Sequence, residues 1–98
     1  MTAIRFQWDD KKAAANRAKH GVSFEEAKSV FYDDDALLRS DDEHSNDEDR
    51  FVLLGLSANL RVLVVCHCHR ESDEVVRLLS ARKADRSERQ QYEARRKR

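Results

Sequence analysis

Four strand-length apolar segments follow one another without an intervening helix in this 98-residue chain. They span residues 36–38, 51–56, 62–68 and 75–80, and polar turns separate them. Successive strands with short connections pair in antiparallel fashion, because parallel neighbours need a long crossover between them. The pattern therefore predicts an antiparallel meander at the centre of the fold.

Capping signals predict two helices ahead of this sheet. Asp9 or Asp10 begins the first helix, which runs to about His20, and Gly21 ends it. The Ser23–Glu26 segment has the spacing of a capping box and begins a second helix. A short alternating segment over residues 4–8 precedes both helices and is predicted to be a strand.

A third helix is predicted to begin at Asp85, where Glu88 supplies the acceptor of a variant capping box. Its apolar stripe is thin, with Ala84 and Tyr92 as the main members. The element order predicts a single α+β domain over residues 1–98. We expect two N-terminal helices packed on one face of an antiparallel sheet of about four to five strands, plus a C-terminal helix on that face.

Charge is unevenly distributed although the formal net charge is zero. The segment Asp33–Asp49 holds nine acids and one arginine, whereas Arg82–Arg98 holds eight bases and three acids. Such asymmetry indicates a basic surface that meets a polyanion. Two solvated, mutually attractive faces of one domain are the alternative.

A cation interrupts the last apolar segment. Arg77 lies between two pairs of apolar residues, and Arg82 with Lys83 follows where the segment ends. Burying a guanidinium without an anionic partner is costly. The arrangement indicates a cleft for phosphate or carboxylate, and an internal salt bridge is the alternative reading.

The Cys66–His69 segment resembles a metal site in composition but not in geometry. On a strand, the two cysteines point to one side and the two histidines to the other, so the four side chains do not converge on one ion. We therefore expect no metal at this position, and His67 with His69 becomes a candidate for a functional surface. The chain also lacks a glycine-rich phosphate loop, and we expect no cofactor.

Eight cationic or titratable side chains fall on or beside the predicted sheet. They are Arg50, Arg61, His67, His69, Arg70, Arg77, Arg82 and Lys83. An arginine groove suits RNA cleavage, because the phosphorane needs charge stabilisation while protons leave the 2′-hydroxyl and reach the 5′-oxygen. Surface salt bridges to the many acids are the alternative.

No apolar run reaches membrane-spanning length, and the N-terminus lacks the pattern of a signal peptide. The two cysteines lie two residues apart, a poor geometry for a mutual disulfide. We therefore expect a cytoplasmic protein with no membrane contact.

The chain resembles the BrnT-type toxins from Phe6 to about Glu93. The matching segments are Phe6–Lys12, Lys19–Ala27, Val30–Phe31, Arg50–Gly55, Arg61–Val65, Val76–Ala84 and Arg86–Glu93. The resemblance implies a RelE-like fold and a metal-independent endoribonuclease that arrests translation. It also implies a BrnA-type antitoxin, contact with DNA only through the antitoxin complex, and a 2:2 heterotetramer formed by antitoxin dimerisation.

Site residues follow from the resemblance and from the cationic groove together. Arg77 and Arg82 would hold the scissile phosphate, Arg50 would assist, and His20 or Tyr92 would act as acid or base. The RNA-binding candidates are Lys19, Arg61, His67, Lys83 and Arg86. Because strict alternation puts Arg77 and Arg82 on opposite faces, we expect Arg82 to lie beyond the regular end of its strand.

The alternative function is a non-catalytic nucleic-acid-binding or regulatory module. In that reading the basic region from Arg82 to Arg98 binds phosphates electrostatically and cleaves nothing.

Overall fold

The computed structural model describes residues 4–44, 49–70 and 74–97. The helices are α1 (Asp10–His20), α2 (Phe24–Ser29) and α3 (Arg86–Arg96). The strands are β1 (Arg5–Gln7), β2 (Leu37–Ser40), β3 (Arg50–Leu56), β4 (Val62–Arg70) and β5 (Val75–Lys83). Short 3-10 helices over Val30–Tyr32 and Asp42–His44 follow α2 and β2.

The strands form one sheet of five in the order β1-β5-β4-β3-β2. Strands β2 to β5 form the predicted antiparallel meander. Strand β1 differs, because it pairs in parallel with β5 and makes the sheet mixed. The predicted α+β class is confirmed, whereas the pairing of β1 escaped prediction because a three-residue strand has no local turn that identifies its partner.

The predicted bounds of α1 are confirmed by its caps. The Asp9 carboxylate accepts hydrogen bonds from the backbone N–H of Lys11 at 2.8 Å and of Lys12 at 3.3 Å. Gly21 follows the helix at a φ of 68°, a left-handed conformation that favours glycine. Local chemistry thus determines both ends of this helix.

The start of α2 is also confirmed, but its acidic residue has a second use. Ser23 Oγ accepts from the backbone N–H of Glu26 at 3.1 Å, as in a capping box. The Glu26 carboxylate turns instead to Ser57 Oγ at 2.7 Å and to the Arg61 guanidinium. Arg61 also donates to the Gly21 carbonyl at 3.2 Å, so this cluster fixes α2 to the β3–β4 turn.

The two faces of the sheet carry separate cores. Leu63 and Val65, both fully buried, point towards α1 and α2, and this side is called the α1/α2 face. Val64 points the other way and packs with Leu54 and Tyr92 beneath α3, and this side is called the α3 face. The expectation that all helices share one face is therefore wrong for α3, because its Tyr92 finds its apolar partners on the opposite side.

One tyrosine anchors α3 in spite of its thin apolar stripe. Tyr92 is 1% exposed, and its hydroxyl donates to Asp33 Oδ2 at 2.7 Å. The same oxygen accepts from the Leu56 backbone N–H at 2.8 Å. The hydrogen bonds of Asp33 with Tyr92 and with the Leu56 N–H hold α3 across the sheet.

Gly55, which precedes Leu56, packs closely against the end of α2. A Cβ at this position would lie 2.9 Å from Val30 Cγ1, so the position requires glycine.

Strand β1 pairs only with the first residues of β5, from Val75 to Arg77. Beyond them, α1 provides the hydrogen-bonding partner on that edge of β5. Asn16 Nδ2 donates to the Ala81 carbonyl at 2.9 Å, and Asn16 Oδ1 accepts from the Ala81 N–H at 3.0 Å. A side-chain amide thereby replaces the backbone of a neighbouring strand. Within the described part of the chain, no helix is long and apolar enough to cross a membrane.

Candidate functional site

A row of polar side chains crosses β5, β4 and β3 on the α3 face. The register pairs Arg77 with Cys68, and Cys68 with Arg50. Residues paired directly in an antiparallel ladder point to the same side of the sheet. The two arginines therefore flank the Cys68 thiol, two strand spacings or about 10 Å apart.

A β-bulge at Leu79 changes the side-chain pattern of β5. Cys66 pairs with Ser80, whereas the next residue, His67, pairs with Leu78. Leu79 is therefore the extra residue opposite β4. Such a bulge reverses the alternation of the strand beyond it.

Because of the bulge, Arg77, Ser80 and Arg82 all lie on the α3 face. Arg82 pairs directly with Val64, and the strand continues to Lys83. The prediction that Arg82 lies beyond the regular end of the strand is therefore wrong, because it assumed strict alternation along β5. One inserted residue brings the two guanidiniums to the same side.

Ser80 and Arg82 border a concavity of about 290 Å³ on the α3 face. Its lining consists of Asp41, Arg50, Val52, Val64, Cys66, Ser80 and Arg82. The two valines and Cys66 form an apolar floor from the central strands, and the charged side chains stand around it. Burial raises the pKa of the Cys66 thiol, so this sulfur stays protonated at neutral pH and is a poor nucleophile.

The first turn of α3 holds one arginine of this concavity in place. Arg82 Nη1 and Nη2 donate to the two Glu88 carboxylate oxygens at 2.8 and 2.9 Å, and Nη1 also donates to the Lys83 carbonyl at 3.3 Å. This pairing raises the pKa of Arg82 and lowers that of Glu88. Among the described residues, nothing accepts from the Nε–H and the remaining Nη2–H, which form one edge of the guanidinium. That edge can hold an anion bidentately.

Two further arginines of this face donate to neutral acceptors. Arg39 pairs with Val52 in the sheet, and its Nη2 donates to Gln91 Oε1 of α3 at 2.6 Å. Arg77 Nη1 donates to Gln7 Oε1 of β1 at 2.8 Å. An amide oxygen orients a guanidinium without neutralising it, so both arginines keep their positive charge for a ligand.

Three of the five predicted catalytic residues come together, and two do not. Arg50, Arg77 and Arg82 share the α3 face, as the register requires. Tyr92 lies on the side of α3 that faces the sheet and is buried there. Desolvation and the hydrogen bond to Asp33 raise the pKa of its hydroxyl, so it is a poor proton donor or acceptor. His20 ends α1, which packs against β5 from the other side, and it does not line the concavity.

The predicted RNA-binding residues are also dispersed. His67 is 1% exposed on the α1/α2 face, so the prediction that it belongs to an accessible functional surface is wrong. Arg61 is held by Glu26, and Lys83 pairs with Leu63 on the α1/α2 face. The two others, Lys19 and Arg86, are exposed at the end of α1 and the start of α3.

The structure adds residues that sequence reasoning missed. Arg39 reaches this face only through the pairing of β2 with β3, and Gln91 meets it only because α3 crosses the sheet. Glu88 was identified as a helix cap, and the structure shows it capping α3 and binding Arg82 with the same carboxylate. The acidic run gave no reason to single out Asp41 from its neighbours.

Comparisons with known proteins agree with this architecture. The family model described as the ribonuclease toxin BrnT of type II toxin–antitoxin systems matches residues 8–88. A crystal structure of the Brucella abortus ribonuclease toxin BrnT has a similar fold, with a TM-score of 0.65 at 21% sequence identity. The alignment covers 86% of this chain and 100% of that one. None of the curated protein sequences matches the chain.

Proposed function

This chain belongs to the family of BrnT ribonuclease toxins of type II toxin–antitoxin systems, and on that premise we propose that it is a metal-independent endoribonuclease that arrests translation. The observation that supports the proposal is the clustering of Arg50, Arg77 and Arg82 on one face of the sheet. The β-bulge puts Arg82 on the same face as Arg77, and Arg50 and Arg82 line a concavity of about 290 Å³ there. Their charges supply what phosphoryl chemistry needs at the phosphate.

In the proposed reaction, the 2′-oxygen of the RNA loses its proton and attacks the adjacent phosphorus, the bond to the 5′-oxygen breaks, and the leaving oxygen takes up a proton from water. A 2′,3′-cyclic phosphate and a 5′-hydroxyl result. Arg82 presents its Nε and Nη2 edge to the phosphate, Arg77 binds it from its position on the same face of β5, and Arg50 assists. Positively charged donors at this position stabilise the phosphorane more than the ground state, which is how they raise the rate.

A proton acceptor must lie within reach of the 2′-hydroxyl. Among the described residues that line the concavity, Asp41 and Cys66 carry the titratable groups other than guanidiniums. The Cys66 thiol is protonated, because burial raises its pKa. We therefore assign the acceptor role to the Asp41 carboxylate, in place of His20 or Tyr92.

Membership of a type II family implies an antitoxin partner. We propose that this partner is of the BrnA type, covers the arginines of the α3 face and blocks RNA by occlusion and charge neutralisation. Dimerisation of the antitoxin would give a 2:2 heterotetramer, and DNA would be contacted only through the antitoxin. The cytoplasm is the proposed location, because the messenger RNA is translated there.

The purified protein should be incubated with RNA in EDTA, and cleavage should be followed by gel electrophoresis. We expect the wild type to cleave, and Arg77→Ala and Arg82→Ala each to lose at least about 100-fold in rate. Arg17→Ala is the matched control, since it removes an exposed arginine from α1. Asp41→Asn tests the proton acceptor, and it should lower the rate while RNA binding remains.

Full activity in both arginine variants would refute the assigned site. A salt-sensitive gel shift with intact RNA would instead support the non-catalytic binding module. Co-expression with the neighbouring reading frame tests the partner, which should co-purify and abolish cleavage.

A further inference from the structure

A second cationic groove lies beside the concavity, between β2 and α3. It has a volume of about 520 Å³, and its lining consists of Leu37, Arg39, Gln91, Ala94 and Arg95. Arg39 connects the two depressions, because its sheet partner Val52 lines the concavity. The groove therefore continues the candidate site across the sheet, towards the β2 edge.

The two arginines of this groove are held in place without being neutralised. Arg39 donates to the amide oxygen of Gln91 at 2.6 Å, and Arg95 Nε donates to the backbone carbonyl of Asp35 at 3.1 Å. Neither guanidinium forms an ion pair with a carboxylate within the described part of the chain. By contrast, Arg61 on the other side of the molecule is paired with Glu26.

Within the described part of the chain, neither Asp33 nor Asp35 forms an ion pair with an arginine of this groove. The Asp33 carboxylate points inward, where it accepts from Tyr92 and from the Leu56 N–H. Asp35 offers its backbone carbonyl to Arg95. Leu37 and Ala94 add apolar surface to the lining, which suits the ribose and base that accompany each phosphate.

We propose that this groove is a second phosphate subsite, which binds the backbone of single-stranded RNA beside the cleaved linkage. The inference rests on the proposed function and adds where the flanking nucleotides lie. Strand β2 lies three strand spacings from β5, about 14 Å, so one RNA chain that contacts Arg39 and Arg82 spans more than one phosphate. RNA is favoured over an acidic peptide because the groove adjoins the arginine concavity.

The test is the salt dependence of RNA binding. A 12-nucleotide RNA of mixed sequence carrying 2′-O-methyl groups is the probe, because it lacks the hydroxyl that attacks. Removing one cation that binds a phosphate should reduce the slope of log K against log salt by about 0.7 for a single strand. We expect Arg39→Gln and Arg95→Gln each to reduce the slope by about that amount, and the double variant by about twice as much.

Two comparisons separate charge from structure. Arg39→Lys with Arg95→Lys keeps both charges and should retain most of the slope, whereas loss of slope in this variant would indicate a structural role and overturn the proposal. Arg17→Gln, on α1, should leave the slope unchanged.

The remaining outcomes are distinguishable. If the wild type cleaves and binds RNA but the glutamine variants keep the full slope, the subsite is refuted and the proposed function stands. If those variants keep the slope but no longer bind the antitoxin, the groove is a protein interface and the subsite is again refuted. If the wild type neither binds nor cleaves RNA, the proposed function itself fails.

Discussion

The buried histidine of β4 should make the stability of this protein depend on pH. His67 is 1% exposed, and its ring lies 4.8 Å from that of Phe31 and 5.3 Å from that of His69. Desolvation by these neighbours lowers its pKa from 6.5 to about 4, the hydrogen bond to the Val65 carbonyl opposes the change, and His69 adds to it. The native state therefore keeps this imidazole neutral.

The size and direction follow from linkage. Above about pH 7 the ring is neutral in both the folded and the unfolded chain, and it has no effect on stability. Between 6.5 and about 4 the unfolded chain takes up a proton that the folded chain excludes, so the free energy of unfolding decreases as the pH falls. One pKa unit is worth about 1.4 kcal/mol, which gives a maximal loss of roughly 3 kcal/mol near pH 4.

Urea unfolding of the wild type and of His67→Phe at several values between pH 7.5 and 4.5 measures this effect. Phenylalanine keeps an aromatic ring among its partners and does not titrate, so the variant should gain stability relative to the wild type as the pH falls. Carboxylates with lowered pKa values, such as those of Glu26 and Asp33, lose stabilisation in both proteins and cancel in the difference. A difference that stays constant across this range would refute the reasoning.

Three further predictions test separate contacts. Asn16→Leu deprives the free edge of β5 of its hydrogen bonds and should lower the free energy of unfolding by about 3 kcal/mol in a urea titration. Tyr92→Phe removes the hydroxyl that donates to Asp33 and should lower the free energy of unfolding by about 1 kcal/mol. The rate of RNA cleavage should stay unchanged, and a large loss of rate would instead indicate a catalytic role for Tyr92. Glu88→Gln keeps the helix cap but loosens Arg82, so single-turnover kinetics should show slower cleavage without weaker RNA binding.

The helices were predictable because their ends are determined locally. Asp9 and Gly21 mark α1, and Asp85 with Glu88 forms the complete capping box of α3, all within a few residues of chain. The strands of the meander were also predictable, since apolar runs and short turns leave few other arrangements. Their exact pairing was not, because register depends on contacts between residues far apart in sequence.

The arrangement of the side chains in the candidate site could not be predicted from the sequence. Arg77 and Arg82 were singled out from the pattern of the last apolar segment, and the structure puts both on the α3 face. Their common side of the sheet depends on the bulge at Leu79, and no residue type in that apolar run signals an unpaired position. Arg39 was overlooked for a related reason, since it joins the site only through strand pairing and the path of α3.

The larger hydrophobic core lies on one face of the sheet, and the arginines of the proposed site lie on the other. On the α1/α2 face, Glu26 neutralises Arg61 and closes the structure around the larger core. On the α3 face, one anchoring residue, Tyr92, holds a helix that crosses the sheet and leaves the neighbouring surface open. Arg39, Arg77 and Arg95 on this side donate to amide or carbonyl oxygens, which fix geometry and preserve charge. Arg82 is paired with Glu88, and its Nε edge has no acceptor among the described residues. Arginines that are held in position and keep their charge favour the binding of a polyanion, and that is the physical argument for RNA as the ligand.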